Sequence, residues 1–297
     1  IGYESDLKLA SLLDPALGVD LIIGGHSHTV LDKPGHVNNI LIAQAGVGTN
    51  QIGRFDITVD DDTNSIIDYK WSLIPINDQI APPDKQLEKF INSFKTQVDR
   101  KYNTLLTKFA KVHTHPQREI ETDLGNLFAD SFANICQSDI VLVGSGSIRS
   151  KNLGPLVTLK DFMACFPYDD SLTKFTVIGL DLKNIFGHIM RPQNRDGEGE
   201  CYQVNANISA IFDEKSKKLI SLRFKGKEVI EHKLYTLAIQ GYHYKNCQAY
   251  LNISEENLLK SGPSKVITTS AQIALEEYFR THQNLSVNIT NRLIYQK

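Results

Sequence analysis

Two histidines two positions apart are the residues of this sequence best placed for metal chemistry. His26 and His28 follow the apolar run Val19–Ile23 and a pair of glycines, Gly24 and Gly25. Residues two apart on an extended backbone point to the same side, so both imidazoles are expected to face one site. Histidine is the commonest metal-ligating side chain, and α/β folds place their sites where strands end. The pattern predicts a metal site; a surface turn that carries two histidines is the alternative.

Two arginines and a glycine-rich segment form a second candidate site. Arg118 precedes the sequence DLGNLFAD, and Arg149 ends the sequence GSGSIR, which begins at Gly144. A guanidinium binds phosphate or carboxylate through paired N–H groups, whereas a single arginine is more often a surface charge. GSGSIR lacks the third glycine of the dinucleotide fingerprint, and no helix follows it, which excludes a nicotinamide site.

Other polar residues have a structural explanation. Three further histidines lack the strand–glycine context: His36, His113 and His115. The last two lie in a polar segment before a proline and are expected to be solvated. Asn126 and Asp130 lie one helical turn apart. They are expected to belong to a helix whose N-terminus Asp123 caps, rather than to a functional pair.

The elements that must position the first histidine pair belong to an α/β pattern. The continuous apolar run Val19–Ile23 predicts a strand buried on both faces, and Ile40–Ala43 predicts a second strand. Alternation of apolar and polar residues predicts a hairpin over Arg54–Val59 and Ile66–Leu73.

A proline-bearing stretch, residues 75–83, predicts a domain boundary. Asp84 then stands at the N-cap of a linking helix. Apolar side chains recur along this helix at helical spacing and are expected to be buried: Leu87, Phe90, Ile91, Phe94, Val98 and Tyr102.

The remainder of the chain mixes helices and strands. Periodicity predicts a helix that buries Leu124, Leu127, Phe128, Phe132 and Ile135, and further helices at Thr158–Cys165, Asp181–Met190 and Ser270–His282. Strands are predicted at Ile140–Val143, Leu172–Ile178 and Leu234–Ile239, with a hairpin over Leu219–Phe224 and Val229–Ile230.

Composition narrows the class of protein. A chain of 297 residues is long enough for two domains, and 41% hydrophobic and 22% charged residues are globular values. The balance of 32 basic and 34 acidic residues gives no electrostatic case for a nucleic-acid partner. No apolar run is long enough to span a membrane. The four scattered cysteines predict neither a zinc site nor a disulfide scaffold.

Four segments in this order carry a family resemblance: GGHSH, DLGNLFAD, GSGSIR and Phe166-Pro167-Tyr168. The first resembles the last metal-ligand motif of calcineurin-like metallophosphoesterases. Residues 104–297 resemble the C-terminal domain of the 5'-nucleotidase family. The resemblance implies the C-terminal part of a metallophosphoesterase sandwich domain at 1–78, a linker helix at 79–103 and a mixed α+β substrate-binding domain at 104–297.

Carried over from the family, His26 and His28 would each ligate one of two divalent metal ions, manganese, zinc or similar. The remaining ligands and the catalytic residues lie upstream of these motifs in the family. The chain begins at Ile1, so we expect the C-terminal part of a longer protein, whose missing N-terminal portion is its natural partner; processing at Ile1 is the alternative. The fragment alone is expected to bind metal weakly and to be inactive.

The resemblance also implies the ligand contacts. Arg118 and Arg149 would contact a nucleotide, Gly144 would shape the turn, and Tyr168 and Tyr242 would enclose the base. This chain has Gly-Tyr-His-Tyr-Lys-Asn-Cys at 241–247, where the family usually has Gly-Gly-Asp-Gly, so Tyr244 is an alternative stacking ring and the fold of 242–254 is left open.

The implied activity of the intact protein is metal-dependent hydrolysis of nucleotide phosphate esters, as in a 5'-nucleotidase. A 2',3'-cyclic-nucleotide phosphodiesterase with 3'-nucleotidase activity and a UDP-sugar hydrolase are alternatives with the same metals. A non-catalytic nucleotide-binding module is the alternative from another class. Family members are usually extracellular, periplasmic or attached to the cell wall, and the same location is expected here.

Overall fold

A computed structural model describes residues 2–195 and 200–297 of the chain. It divides into two compact units, Ile1–Lys95 and Thr96–Lys297. Both mix helices and strands, as the α/β and α+β pattern predicted. Within the described residues, no helix is both long and apolar enough to cross a membrane.

The first unit is built from one helix, a small sheet and a hairpin. Its elements, with the helix that leads into the second unit, are α1 (Tyr3–Leu12), β1 (Leu21–Ile23), β2 (Gly35–Val37), β3 (Ile40–Ala43), β4 (Gln51–Asp60), β5 (Ser65–Pro75) and α2 (Lys85–Tyr102). Strand β3 lies between β1, which is parallel to it, and β2, which is antiparallel. Strands β4 and β5 pair along their full length, which confirms the predicted hairpin.

The strand before the histidine pair differs from the prediction. It covers only Leu21–Ile23, and the Ile23 side chain is 80% exposed. The prediction of burial on both faces was wrong: β1 lies at the edge of the three-stranded sheet, and its residues are half-buried or exposed. Strand β3 has the predicted bounds and is fully buried.

Helix α2 begins as predicted, and Oδ1 of Asp84 accepts hydrogen bonds from the backbone N–H groups of Gln86 and Leu87. Its apolar stripe is exposed instead of buried, with Phe90 62% exposed and Phe94 54% exposed. Helical spacing predicts which side chains share a face, but it does not supply the surface that covers them.

The second unit contains the remaining elements. In chain order these are β6 (Leu105–Lys108), β7 (His113–Thr114), α3 (Asp123–Cys136), β8 (Ile140–Gly144), β9 (Asn152–Leu153), β10 (Leu156–Thr158), α4 (Leu159–Cys165), β11 (Leu172–Ile178), α5 (Gly179–Ile189), α6 (Pro192–Arg195), β12 (Tyr202–Val204), β13 (Ile208–Asp213), β14 (Lys218–Phe224), β15 (Lys227–Glu228), β16 (Leu234–Gln240), α7 (Gly241–Lys245), α8 (Cys247–Leu251), α9 (Glu255–Leu259), β17 (Lys265–Thr268), α10 (Ala271–Thr281) and β18 (Leu293–Gln296).

A five-stranded sheet in the order β12-β8-β16-β11-β17 separates two hydrophobic cores. Ile140 and Leu142 of β8 enter one core, and Val141 and Val143 enter the other. The apolar run is therefore buried on both faces, as a central strand requires. Helices α3 and α10 pack on one side of this sheet, while α5 lies on the other with the sheet formed by β13, β14, β15 and β18.

Most elements predicted for this unit are confirmed, and β11 has the predicted bounds. The hairpin partner of β14 is Lys227–Glu228 rather than Val229–Ile230. Lys225 and Gly226 have φ of 48° and 76°, so they make a two-residue turn that brings the next strand in earlier. All four cysteines are buried and free.

Candidate functional site

The segments that form the candidate site in the second unit follow two neighbouring parallel strands. Strands β8 and β16 pair in parallel, so their carboxyl ends lie at the same edge of the sheet. The segment GSGSIR follows β8, and α7, which contains Tyr242, follows β16 directly. Loops beyond the carboxyl ends of parallel strands are where α/β sheets bind ligands.

Arg118 and the glycine loop are in contact. A Cβ added to Gly146 would lie 2.2 Å from the Arg118 Nη2 atom, so a side chain at position 146 would displace the guanidinium from its place over this loop. The Arg118 side chain is 51% exposed, and its nearest acid is Glu200, with Nη2 and Oε2 3.9 Å apart. Within the described residues the Arg118 guanidinium makes no hydrogen bond, so its N–H groups are available to a ligand.

Arg149 lies at the other end of the same loop, beside the first candidate ring. Its guanidinium carbon is 5.8 Å from the centroid of the Tyr168 ring, within the range of a cation–π contact. Its backbone N–H donates to the Cys165 carbonyl at 2.7 Å, which ties the loop to the end of α4. Tyr168 is 54% exposed, so much of its ring is open to solvent.

Tyr242 is held at the start of α7 by the loop that carries Tyr168. Its backbone N–H donates to Oδ2 of Asp170. The Tyr242 ring is 54% exposed, and its hydroxyl lies 3.0 Å from the hydroxyl of Tyr250. One loop thus anchors both candidate rings, and Tyr250 extends the aromatic surface.

A buried histidine fills the space under these rings. Nδ1 of His243 lies 2.9 Å from the hydroxyl of Tyr202, and its ring meets those of Tyr242 and Tyr250 edge-on. A Cβ on Gly144 would lie 2.4 Å from His243 Nε2, so a larger residue at position 144 would displace the imidazole. Burial lowers the pKa of His243 to about 4, which keeps the ring neutral at physiological pH.

Residues 242–254 are largely helical, with α7 and α8 following β16. Tyr244, the alternative stacking ring, faces the core instead: its ring centroid lies 5.0 Å from that of Phe175. Its hydroxyl donates to Glu255. Tyr242 is therefore the more exposed of the two tyrosines.

His113 and His115 are buried, at 0% and 5% exposure, so the prediction that they are solvated was wrong. A polar group of another segment contacts each imidazole. Nε2 of His113 accepts from the backbone N–H of Val287, and Nδ1 of His115 lies 2.8 Å from Oγ1 of Thr122. Burial lowers the pKa of both imidazoles.

Thr122, not Asp123, caps helix α3, since its hydroxyl accepts from the Gly125 N–H. The Asp123 carboxylate instead accepts from Thr114 and pairs with Lys111. Asn126 and Asp130 do not pair with each other: Asn126 donates to Glu121, and Asp130 forms an ion pair with Arg292. Both residues lie in helix α3 as predicted, whereas the prediction that Asp123 caps this helix was wrong.

The histidine pair lies in the first unit and is exposed. His26 and His28 have φ of 66° and 57°. The prediction of an extended backbone at this pair was therefore wrong. Ser27 holds the turn, because its Oγ lies 2.8 Å from Thr29 Oγ1 and donates to Oε1 of Gln44 at 3.0 Å. Left-handed backbone at non-glycine residues costs free energy and is concentrated at functional sites.

Two exposed imidazoles are suitable metal donors, and neither ring makes a hydrogen bond within the described residues. Across the part of the chain that the structure describes, no group of three or more His, Cys, Asp or Glu side chains forms a site for a metal ion. The donor set therefore fits part of a metal centre, since protein sites commonly use three or four ligands.

Sequence reasoning missed four residues of the candidate site: Asp170, Glu200, His243 and Tyr250. Glu200 accepts the Gly146 N–H at 2.8 Å over a separation of 54 residues. Only the fold brings such pairs together. The segment at 241–247 contained a signal, since its two tyrosines and histidine replace a glycine-rich pattern.

Comparison with curated proteins finds relatives among nucleotide-processing enzymes. The chain is 29% identical over 224 residues to the Trifunctional nucleotide phosphoesterase protein YfkN of Bacillus subtilis, covering 71% of this chain and 15% of YfkN. It is 24% identical over 226 residues to Endonuclease YhcR of the same organism, covering 75% and 18%. It is 25% identical over 248 residues to the snake venom 5'-nucleotidase of Macrovipera lebetinus, covering 71% and 59%. The chain thus spans less than two thirds of each relative.

Solved structures share the fold. A 5'-nucleotidase precursor from Thermus thermophilus superposes with a TM-score of 0.76 at 19% identity, covering 100% of this chain and 62% of that one. The sulfate thiohydrolase SoxB from the same organism gives a TM-score of 0.67 at 17% identity, covering 99% and 53%. The family model described as "5'-nucleotidase, C-terminal domain" matches residues 101–253, which include Arg118, the glycine loop and both exposed tyrosines. The chain therefore belongs to the 5'-nucleotidase family through this C-terminal domain.

Proposed function

We propose that this chain is part of a metal-dependent phosphoric ester hydrolase that acts on nucleotides, as a 5'-nucleotidase does. In this proposal residues 1–78 form the C-terminal part of a metallophosphoesterase domain, 79–103 the linker helix and 104–297 the substrate-binding domain. Membership of the family supports the hydrolase class. The names of the relatives support nucleotides as the substrate class.

One observation carries the proposed binding site: the guanidiniums of Arg118 and Arg149, a glycine loop and two exposed tyrosine rings belong to connected loops at one sheet edge. Exposed rings can stack on a nucleobase, which contributes roughly 1–3 kcal/mol per base and tolerates any base. Guanidinium N–H groups bind the oxygens of the sugar or phosphate. Gly144 leaves room for His243, which supports the second ring.

His26 and His28 would hold divalent metal in the intact enzyme. The metal would supply Lewis-acid stabilisation of phosphoryl charge and a metal-activated water. The residues of this chain contribute two imidazoles, presented by the turn that Ser27 fixes. A two-metal centre needs further ligands, so we expect the isolated chain to bind manganese weakly and to lack nucleotidase turnover.

Calorimetric titration of the chain with adenosine and with AMP tests the binding site. Loss of a stacking ring is expected to weaken adenosine binding about tenfold for Tyr168→Ala and for Tyr242→Ala, since 1.4 kcal/mol corresponds to a factor of ten. Tyr168→Phe keeps the ring and should keep most of the affinity. Tyr69→Ala, which removes a tyrosine from β5 in the first unit, is the matched control and should have no effect.

Unchanged affinity in the Tyr168→Ala/Tyr242→Ala double variant would contradict the stacking site. Failure of both ligands to bind the unmodified chain would contradict the proposed nucleotide specificity altogether.

We also propose that the protein acts outside the cytoplasm, in the medium, cell wall or periplasm. Matches to enzymes named for snake venom support this location, and cell fractionation with an antibody tests it.

A further inference from the structure

A carboxylate lies inside the arginine and glycine loop of the candidate site. Oε1 of Glu200 accepts a hydrogen bond from the Gly146 N–H at 2.8 Å. Its Oε2 atom is 3.9 Å from Nη2 of Arg118. The Glu200 side chain is 12% exposed, whereas that of Arg118 is 51% exposed, so the acid lies beneath the guanidinium.

Glu200 is packed closely against the bare backbone of the loop. A Cβ on Gly146 would lie 2.9 Å from Glu200 Oε2, and one on Gly144 would lie 3.3 Å from its carboxyl carbon. The two glycines thus allow the carboxylate to reach the centre of the loop. The neighbouring imidazole of His243 is neutral at physiological pH, since burial lowers its pKa to about 4.

The charges around Glu200 offset only part of the effect of its burial, and the pKa of this carboxyl is raised above its ordinary value. Burial raises the pKa of Glu200, while the Gly146 N–H and the positive charges of Arg118 and Arg149 lower it. With the acid ionised, the group of two arginines and one glutamate has a single net positive charge. A second carboxylate nearby, Asp170, already accepts the N–H groups of Ser171 and Tyr242.

An anionic ligand group at this loop must compete with Glu200 for Arg118. The ion pair is long and makes no hydrogen bond, so the guanidinium can still donate to a neutral oxygen without breaking it. A phosphate dianion placed there would also face the negative charge of Glu200, which a hydroxyl group would not.

We propose that Glu200 is a specificity-determining residue whose carboxylate, as the built-in counter-ion of Arg118, weakens the attraction of this loop for a phosphate group relative to the hydroxyl-bearing, uncharged part of a ligand. The inference rests on the proposed function, because it assumes a nucleoside or nucleotide at this loop.

Replacement of Glu200 by glutamine separates charge from structure. In Glu200→Gln the amide oxygen can still accept the Gly146 N–H, while the negative charge is lost. AMP affinity is expected to rise about tenfold by calorimetry, and adenosine affinity to change less than twofold.

Two variants control this comparison. Glu200→Asp keeps the charge and should keep the ratio of AMP to adenosine affinity near that of the unmodified chain. Glu256→Gln removes the same charge from an exposed position on α9, and it should change neither affinity. Circular dichroism and thermal unfolding show whether each variant is folded.

The outcomes separate the two proposals. If the unmodified chain binds neither ligand, the proposed function fails. If it binds adenosine and Glu200→Gln leaves the AMP-to-adenosine ratio unchanged, or weakens both ligands equally, the specificity role of Glu200 is overturned while the proposed function stands.

Discussion

The two units of this chain differ sharply in how much apolar surface they bury. The core of the first consists of Ala10, Ile40 and Ile42 with a few partly buried neighbours. The second has two large cores on either side of its five-stranded sheet. Several apolar side chains of the first unit are more than half exposed: Leu12, Leu17, Ile23 and Ile67. Since apolar burial is the main favourable term in folding, the second unit is expected to be much the more stable.

The difference also separates two kinds of functional residue. The candidate nucleotide site lies on the well-packed unit, where loops are tied to buried strands. The histidine pair lies in the thinly packed unit, in a turn with left-handed backbone. A precise binding surface needs rigid support, so we expect ligand binding to survive conditions that unfold the first unit. The single tryptophan, Trp71, lies in β5, so its fluorescence reports on the first unit alone.

The largest effect is expected from a cavity in the better-packed unit. Phe279 is fully buried, with ring centroids of Phe109, Phe128 and Phe162 within 5.4–5.9 Å. Phe279→Ala should lower the free energy of unfolding of the second unit by about 3–5 kcal/mol. Urea unfolding followed by circular dichroism measures this, while the Trp71 fluorescence transition should keep its midpoint. A parallel shift of both transitions would show that the units unfold together.

The free energy of unfolding of the second unit should fall by about 3 kcal/mol as the pH is lowered, and that of the first unit should not show this change. His243 has its pKa lowered from 6.5 to about 4 by burial. The unfolded chain therefore binds more protons between these values, and stability present above pH 6.5 is lost as the pH falls towards 4. Lowered pKa values of His113 and His115 act in the same direction. Urea unfolding at a series of pH values should give a flatter slope for His243→Gln; an unaltered slope would refute the assignment.

The thinly packed unit should be sensitive at Gly24. A Cβ at this position would lie 2.1 Å from Oδ2 of Asp6 and 2.6 Å from Nε2 of Gln44. These two side chains are hydrogen bonded to each other at 2.9 Å and buried. Gly24→Ala should destabilise the first unit by about 1–3 kcal/mol through overpacking, seen as an earlier Trp71 transition. Gly25→Ala, where a Cβ would meet nothing, is the control.

The smallest effect concerns the helix between the units. Asp84→Ala removes the acceptor for the N–H groups of Gln86 and Leu87. Loss of such a cap costs about 1 kcal/mol of helix stability. Hydrogen exchange should speed up in the first turn of α2 and remain unchanged in α3, which Thr122 caps. Equal exchange in the variant and the unmodified chain would mean that the cap is not needed.

Local sequence patterns predicted the helices and strands well, but they predicted the burial of individual side chains poorly. Strand β3 has the predicted bounds because it is a continuous apolar run, and β11 because its β-branched and aromatic residues lie between turns. His113 and His115 looked solvated because their neighbours are polar, yet Val287 and Thr122 enclose them.

The candidate site was predictable in part. The motifs indicated both arginines and Tyr168, since each lies in a recognisable segment. Glu200 has no local signal, because its role depends on a contact with Gly146 across 54 residues. The exposure of α2 could not be predicted either, since periodicity describes a face and not its surroundings.

The parallel pairing of β8 and β16 has an evolutionary consequence. Their ladder joins Ile140 to Leu237 and Leu142 to Ile239, inside the core. The residues of the candidate site begin only beyond it, at Gly144 and Gly241. Substitutions at exposed positions that follow these strands, such as Tyr242, are therefore expected to cost less stability than substitutions at buried ones such as His243. Evolution can therefore exchange such an exposed ring without rebuilding the buried strands beneath it.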